Sequence, residues 1–241
     1  MKYLISFLFL ALAFSMKSEA KVTLPSILGD NMVLQQQAEV KLWGKARPNA
    51  TVTVKTSWNG QTYKFSSDGK GGWSLTVSTP VAGGPYKIIF NDGELLTLQN
   101  VLIGEVWFCS GQSNMEMPMG CFDRQPVRGA NDIIAKAKPS TPIRMYTTDS
   151  KDGRWVRQFS KTPAEDCQGE WLENTPVNVS HISAVSYYFA RYIQEVLEVP
   201  VGIVVSTWGG SKVEAWMSRE SIKPFSSIDL SILDNDAEVK N

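Results

Sequence analysis

The sequence predicts a two-part fold: an antiparallel β-sandwich over residues 21–100, then an α/β unit with a parallel sheet over residues 101–241. Three observations carry that prediction. Before residue 100, short stretches alternate β-branched or apolar residues with polar ones at period two, separated by Asn-Gly, Asp-Gly and Gly-Gly turn signals. After residue 100 the apolar runs become continuous, the pattern of strands buried on both faces. One amphipathic segment then feeds straight into a β-branched run, which is half of a βαβ unit.

Residues 1–20 precede both parts and read as a secretory signal. Lys2 supplies the positive start, "YLISFLFLALAF" (Tyr3 to Phe14) the apolar stretch, and "SEA" (Ser18 to Ala20) the small-x-small form cut by a signal peptidase. The apolar run falls short of the about 20 residues that a bilayer span needs. The expectation is an exported protein, periplasmic or extracellular, starting near Lys21 with no stable membrane span after cleavage.

In the first part, "TVTVKTSW" (Thr51 to Trp58) alternates cleanly and meets an Asn-Gly turn. "QTYKFSS" (Gln61 to Ser67) alternates again, "DGKGGW" (Asp68 to Trp73) turns, and "SLTVST" gives another strand. "AGGPYKIIF" and "NDGELLTLQ" add two more turn–strand pairs. Strands at about 8–12-residue spacing are the mark of a sandwich. Asp68 and Asp92 precede glycines, where turn geometry is their job.

In the second part, "VLIGEVWFCS" reads as a strand buried on both faces, "ANDIIAKAKPS" as a short helix ended by Pro139, and "PIRMYTT" as another buried strand. Lys151 to Asp166 is polar and reads as an exposed loop. "SAVSYYFARYIQEVL" (Ser183 to Leu197) is the best helix. Ser183 can cap it, and Val185, Phe189, Tyr192, Ile193, Val196 and Leu197 fall on one face as its expected core side. "VPVGIVVSTWGG" follows as a strand and a Gly-Gly turn. Three buried strands are few for a doubly wound sheet, so the α/β unit is expected to be truncated.

Charge excludes some partners. Lys+Arg and Asp+Glu number 24 each, so the net charge is zero and nothing favours nucleic acid or an anionic membrane. The three cysteines, Cys109, Cys121 and Cys167, match no metal spacing. Three is odd, so at least one thiol is left without a partner in the chain.

In open α/β sheets, ligands bind at the carboxyl ends of the strands. Two such ends are readable: "CSGQSNMEM" (Cys109 to Met117) and "STWGGSKVEAW" (Ser206 to Trp216). Both hold glycines and hydroxyl residues, the composition that brings backbone N–H groups and an Oγ to a reacting carbonyl. Ser113-x-x-Glu116 also fits a capping box, although Pro118 sits badly in a helix started there. Capping and nucleophile are compatible readings. Ser110, at the strand terminus, is the competing serine. Geometry favours Ser113, which lies beyond Gly111.

The stretch "GEVWFCSGQSNMEMPM" (Gly104 to Met119) resembles the signature of sialate O-acetylesterases and related carbohydrate acetylesterases of the SGNH hydrolase superfamily. "LGDNMVLQQ", "LWGKARPNATVTV", "GGWSLTV" with "AGGPYKI", and "ISAVSYYFARYIQEVLEVPVGIVVSTWGGSKVEAWMSRE" resemble further blocks of the same family in the same order. The resemblance implies a flavodoxin-like α/β/α esterase domain with Ser113 as nucleophile. It implies an oxyanion hole from the N–H groups of Ser113 and Gly210, with Gly209 next. Gln112, Asn114, Trp208, Glu214 and Trp216 are candidates to line the sugar pocket, packing being the other reading. No metal or organic cofactor is implied; the partner is an acetylated sugar.

The family keeps its catalytic His and Asp near the end of the full-length protein, and no such segment is recognisable here. His181 is the only histidine and stands at a helix entry, where the resemblance places no base. "DCQGEW" (Asp166 to Trp171) holds a Gln-Gly-Glu like one the family carries later, but it precedes the helix and reads as a chance match. The chain is expected to be an N-terminal fragment with a nucleophile and no activating base. The alternatives are an inactive glycan-binding protein or an acetylxylan-type esterase.

Overall fold

One strand organises the molecule. In the computed structural model, which describes residues 22–151, 154–155, 164–228 and 230–231, β7 runs from Leu95–Gly111. The signal segment expected over residues 1–20 and the tail over 232–241 lie outside the described residues.

Six strands precede β7: β1 (Val33–Gln35), β2 (Glu39–Lys45), β3 (Thr51–Thr56), β4 (Thr62–Ser66), β5 (Gly72–Ser78) and β6 (Gly83–Asn91). After it come α1 (Ser113–Glu116), α2 (Ala130–Lys136), β8 (Ile143–Thr147), the short antiparallel pair β9 (Ser150–Lys151) and β10 (Arg154–Trp155), and β11 (Trp171–Glu173). Then follow α3 (Pro176–His181), α4 (Ala184–Leu197), β12 (Val201–Thr207), a 3₁₀ turn at Val213–Trp216 and α5 (Arg219–Ile222). The large sheet has the order β11-β8-β12-β7-β6-β3-β4, with β1 also on β7. It is a mixed sheet. The first half of β7 pairs antiparallel with β6, and its second half, from Glu105, pairs parallel with β12.

The sequence suggested two strands, one on each side of residue 100. The structure joins them, so the expected boundary falls inside β7. Asn100 takes a positive φ of 55° there, a conformation asparagine tolerates.

The alternating strands bury one side. Val52 and Val54 of β3 and Ile88 and Phe90 of β6 are fully buried. The β2–β5 pair lies outside the large sheet but shares this core through Leu42, Trp73 and Val77. Trp73 and Phe90 meet with ring centroids 5.7 Å apart. A second core lies where α3 and α4 cover the parallel strands, and it includes Ile143, Met145, Val201, Ile203 and Val205. Among the described residues no helix is long and apolar enough to cross a membrane.

Two burial expectations fail together. Ser183 caps α4 as expected, accepting from the Ser186 N–H at 3.3 Å. The buried face, however, is Ala184, Ser186, Tyr187 and Ala190. The face expected to be core is largely outside: Val185, Phe189, Tyr192, Val196 and Leu197 are exposed, and Ile193 is only partly buried. The sheet accepts the small side chains, and Tyr187 reaches inward to a buried partner. Likewise "VLIGEVWFCS" is not buried throughout. β1 stops at Gln35, opposite Gly104, so from Glu105 onward β12 is the one strand beside β7 among the described residues. Along this edge Trp107 is 42% and Phe108 66% exposed. Trp107 leans edge-on against Phe189 at 5.0 Å.

Candidate active site

The two parallel strands β7 and β12 end in register, with Ser110 opposite Ser206 and Gly111 opposite Thr207. One more bond, Trp208 N–H to the Gly111 carbonyl at 3.0 Å, carries the ladder into the turns. The "SGQSN" and "TWGG" turns are thereby placed side by side, as the carboxyl-end rule requires.

Ser113 is the first residue of α1 and is exposed. The capping box read from Ser113-x-x-Glu116 is not formed. Gln112 occupies the cap position without a side-chain cap bond, and the Glu116 carboxylate reaches across to accept from the Gly209 N–H. A Cβ built on Gly209 would lie 3.0 Å from Glu116 Oε2 and 3.7 Å from Ser113 Oγ. One built on Gly210, whose φ is +76°, would meet nothing within 4 Å. Gly210, expected as the second donor, has open space at its Cβ position, and the position at Gly209 is the one near Ser113 Oγ.

The other expected residues divide. Gln112 Nε2 donates to the Ser211 carbonyl at 3.1 Å, and Trp216 Nε1 donates to Ser211 Oγ at 2.9 Å. Ser211 Oγ in turn donates to the Trp208 carbonyl at 2.7 Å. Gln112, Trp208 and Trp216 thus hold the two turns together. Asn114 is exposed beside Ser113, and Glu214 is half-buried on the 3₁₀ turn. Ser110 ends β7 opposite Ser206, set back from the turn.

After α1 the chain is strapped to the α3–α4 junction. Met119 N–H donates to the Ile182 carbonyl at 2.8 Å, and Ala184 N–H to the Met117 carbonyl at 2.7 Å. This closes a cavity of about 160 Å³, whose lining includes Glu116, Met145, Glu170, Leu172, His181 and Ile182. His181 is in that wall and forms no hydrogen bond with Ser113. Glu170 belongs to the Gln168-Gly169-Glu170 stretch that the sequence reading set aside. The stretch is fastened to the end of β8: Asp149 N–H donates to the Cys167 carbonyl at 2.8 Å. Glycine is required at 169, where a Cβ would lie 2.5 Å from the Tyr146 ring and 2.6 Å from the Thr147 carbonyl. The triplet read as a chance match thus puts Glu170 in the wall of this cavity.

Two buried groups anchor this end of the sheet. Burial pushes the Tyr146 phenol well above its usual range, with Cys167 contributing in the same direction. Burial lowers the Arg144 guanidinium, opposed by Glu173 at 3.1 Å. All three cysteines are free thiols, with Cys109 buried and Cys121 exposed.

Comparison with known proteins now bears on this geometry. The chain is 29% identical over 216 residues to the human sialate O-acetylesterase, and 30% identical over 213 residues to that of Rattus norvegicus. Each alignment takes in 82% of this chain. Among solved structures, a carbohydrate acetylesterase from Xanthomonas citri superposes with a TM-score of 0.75 at 32% identity, covering 89% of this chain. The chain belongs to the sialate O-acetylesterase family. It spans about two fifths of the length of these esterases, 39% of the human protein and 38% of the rat one, and 46% of the acetylesterase of known structure. No family profile matches it.

Proposed function

We propose that this chain carries the nucleophile half of a carbohydrate O-acetyl ester hydrolase, acting on O-acetyl groups of sialic acid or a related acetylated sugar. The observation that carries the reading is the side-by-side placement of the Ser113 and Gly209 turns at the paired ends of β7 and β12, with a Cβ position at Gly209 3.7 Å from Ser113 Oγ. Ser113 Oγ attacks the acetyl carbonyl and its proton passes to a base. The resulting oxyanion is met by N–H groups of Ser113 and Gly209, with Gly210 beyond, once the Glu116 carboxylate gives up the Gly209 donor. The C–O bond to the sugar then breaks, the sugar oxygen takes a proton and leaves, and water hydrolyses the acetyl-serine to acetate. The base, by this reading, is a His oriented by an Asp, from the part of the esterases' length that this chain does not match.

The same reading makes residues 22–100 a β-sandwich module, supported by the shared core of β2–β5 with β3 and β6. It makes residues 101–241 the start of an SGNH-type esterase domain. It places the protein outside the cytoplasm through the signal-like residues 1–20, with no nucleic acid as partner.

Hydrolysis of an acetylated sugar by the full-length protein tests the chemistry. Ser113→Ala is expected to lower the rate by at least about 10³-fold, since members of a catalytic unit fail together. A variant that keeps the wild-type rate ends the assignment, and a Ser110→Ala variant with the larger loss transfers it.

A further inference from the structure

We propose that Ser211 is a positioning residue for the ester chemistry: its hydroxyl, locked by Trp216, holds the peptide that presents the Gly209 N–H beside Ser113. The proposal rests on the ester-hydrolase reading above and deepens it.

The covalent structure supplies the first step. The Trp208 carbonyl and the Gly209 N–H are the two ends of one peptide unit. That unit is planar and trans, so the two groups point in opposite directions. Whatever grips the carbonyl therefore aims the N–H. On one side the Gly209 N–H faces the Glu116 carboxylate, and the Cβ position of the glycine is 3.7 Å from Ser113 Oγ. On the other side the Trp208 carbonyl accepts twice from Ser211, from Oγ at 2.7 Å and from the backbone N–H at 3.2 Å.

The partners fix the direction of the hydroxyl. An indole N–H only donates and a carbonyl only accepts, so a hydroxyl between them accepts from the first and donates to the second. Trp216 Nε1 donates to Ser211 Oγ at 2.9 Å, which leaves the Ser211 hydrogen for the Trp208 carbonyl. Bonds in such a series polarise one another, so the same series strengthens the Gly209 N–H as a donor.

Ser211 is tied to the nucleophile turn as well. Its carbonyl accepts at 3.1 Å from Nε2 of Gln112, the residue before Ser113. At the other end of the turn, the Trp208 N–H is held by the Gly111 carbonyl at 3.0 Å. Ser211 thus helps to set the separation of the serine from the donor. An oxyanion hole works through donors placed in advance. Removing the hydroxyl loosens the Gly209 donor without deleting it, so the expected loss is about tenfold, below the roughly 10²–10³ for a donor removed outright.

The test uses the full-length protein and the variants Ser211→Ala, Ser211→Thr, Trp216→Phe and the Ser211→Ala/Trp216→Phe pair. One readout is kcat and KM on an aryl acetate. The other is the Gly209 amide resonance under nitrogen-15 glycine labelling, identified by its disappearance in Gly209→Ala. Ser211→Ala is expected to lower kcat about tenfold with KM held within about twofold, and to shift the Gly209 resonance. Ser211→Thr keeps the hydroxyl and is expected to stay within about threefold of wild type, with the resonance near its original place. Trp216→Phe is expected to lower kcat by itself and to add nothing to Ser211→Ala, because it acts through that hydroxyl. Wild-type kcat in Ser211→Ala, a loss carried by KM, no rescue by threonine, or losses that multiply in the paired variant overturns the proposal. Should Ser211→Ala not fold, Trp216→Phe against Ser211→Thr carries the same comparison. If wild type does not hydrolyse the ester, the hydrolase reading falls and the resonance decides the role of Ser211. A Gly209 shift shared by Ser211→Ala and Trp216→Phe and absent from Ser211→Thr then upholds it, and an unmoved resonance ends it.

Discussion

Gly209 and Gly210 are adjacent, yet alanine should act on them in opposite ways. At Gly209 no left-handed conformation is required, and the new Cβ would sit 3.0 Å from Glu116 Oε2 and 3.7 Å from Ser113 Oγ. The first contact is tight, but the neighbour is the end of a flexible side chain that swings away. The fold should lose well under 1 kcal/mol, as surface substitutions commonly do. The backbone donor survives, but a methyl now fills the space a reacting acetyl group must enter. Misplacing a substrate by about 1 Å costs on the order of 10²-fold. At Gly210 the order is reversed. The Cβ has open space, but φ is +76°, and forcing alanine into the left-handed region costs about 1–2 kcal/mol. Urea unfolding at constant m-value reads the stabilities, and acetyl ester hydrolysis by the full-length protein reads the site. Gly209→Ala should be stable and nearly inactive; Gly210→Ala should be less stable and active where it is folded. The opposite pattern refutes the placement of Gly209 against Ser113.

Three further outcomes follow from the same structure. Tyr187 is buried and donates to Asn174 Oδ1 at 2.7 Å, itself buried; Tyr187→Phe strands that acceptor and should cost about 1–3 kcal/mol in urea unfolding at pH 7. Burial raises the Tyr187 phenol above its usual value, with Arg191 and Asn174 opposing. A raised folded value gives stability that is whole below the unfolded pKa of about 10 and is lost as pH climbs through the folded one. The penalty of Tyr187→Phe measured at pH 7 should therefore shrink above pH 10, and a constant penalty counts against this account. Of the three thiols, exposed Cys121 should react with a thiol reagent first, and Cys109 only on unfolding, since burial both covers it and raises its pKa; early loss of Cys109 in mass-spectrometric mapping contradicts its burial. The apolar edge and helix face at Phe108 and Tyr192, each 66% exposed, should drive concentration-dependent association of this chain, and lysine at both positions should reduce it in sedimentation velocity.

The β-rich first part was legible because one-sided burial writes itself into a strand at period two. Val52 and Val54 alternate in sequence and are fully buried in space. The helix Ala184–Leu197 was legible in extent and cap but not in orientation. Its large apolar residues signal a core face, yet a helix lying close on a sheet buries whichever side lets the backbones approach, here Ala184 and Ala190 with Tyr187. Sequence also could not show that β7 passes from an antiparallel partner to a parallel one. Its apolar run reads the same whether a residue is central, like Ile103, or on an edge, like Phe108.

The site divides along the same line. Ser113 and the Trp208–Gly210 turn were singled out from two readable strand ends and from the family resemblance, and the structure sets these two turns side by side. Glu170 was not singled out, because its Gln-Gly-Glu triplet precedes the helix and was set aside as a chance match. It reaches the cavity through long-range fastening of residues 166–170 to β8 and to Ser26, whose side chain donates to Asp166 at 2.7 Å. Glu116 shows why the distinction matters. Read locally it is the far half of a capping box. In space it holds the Gly209 donor beside the proposed nucleophile and lines the cavity shared with Glu170 and His181. In the ester-hydrolase reading that carboxylate must yield its donor before an acetyl oxygen can take it.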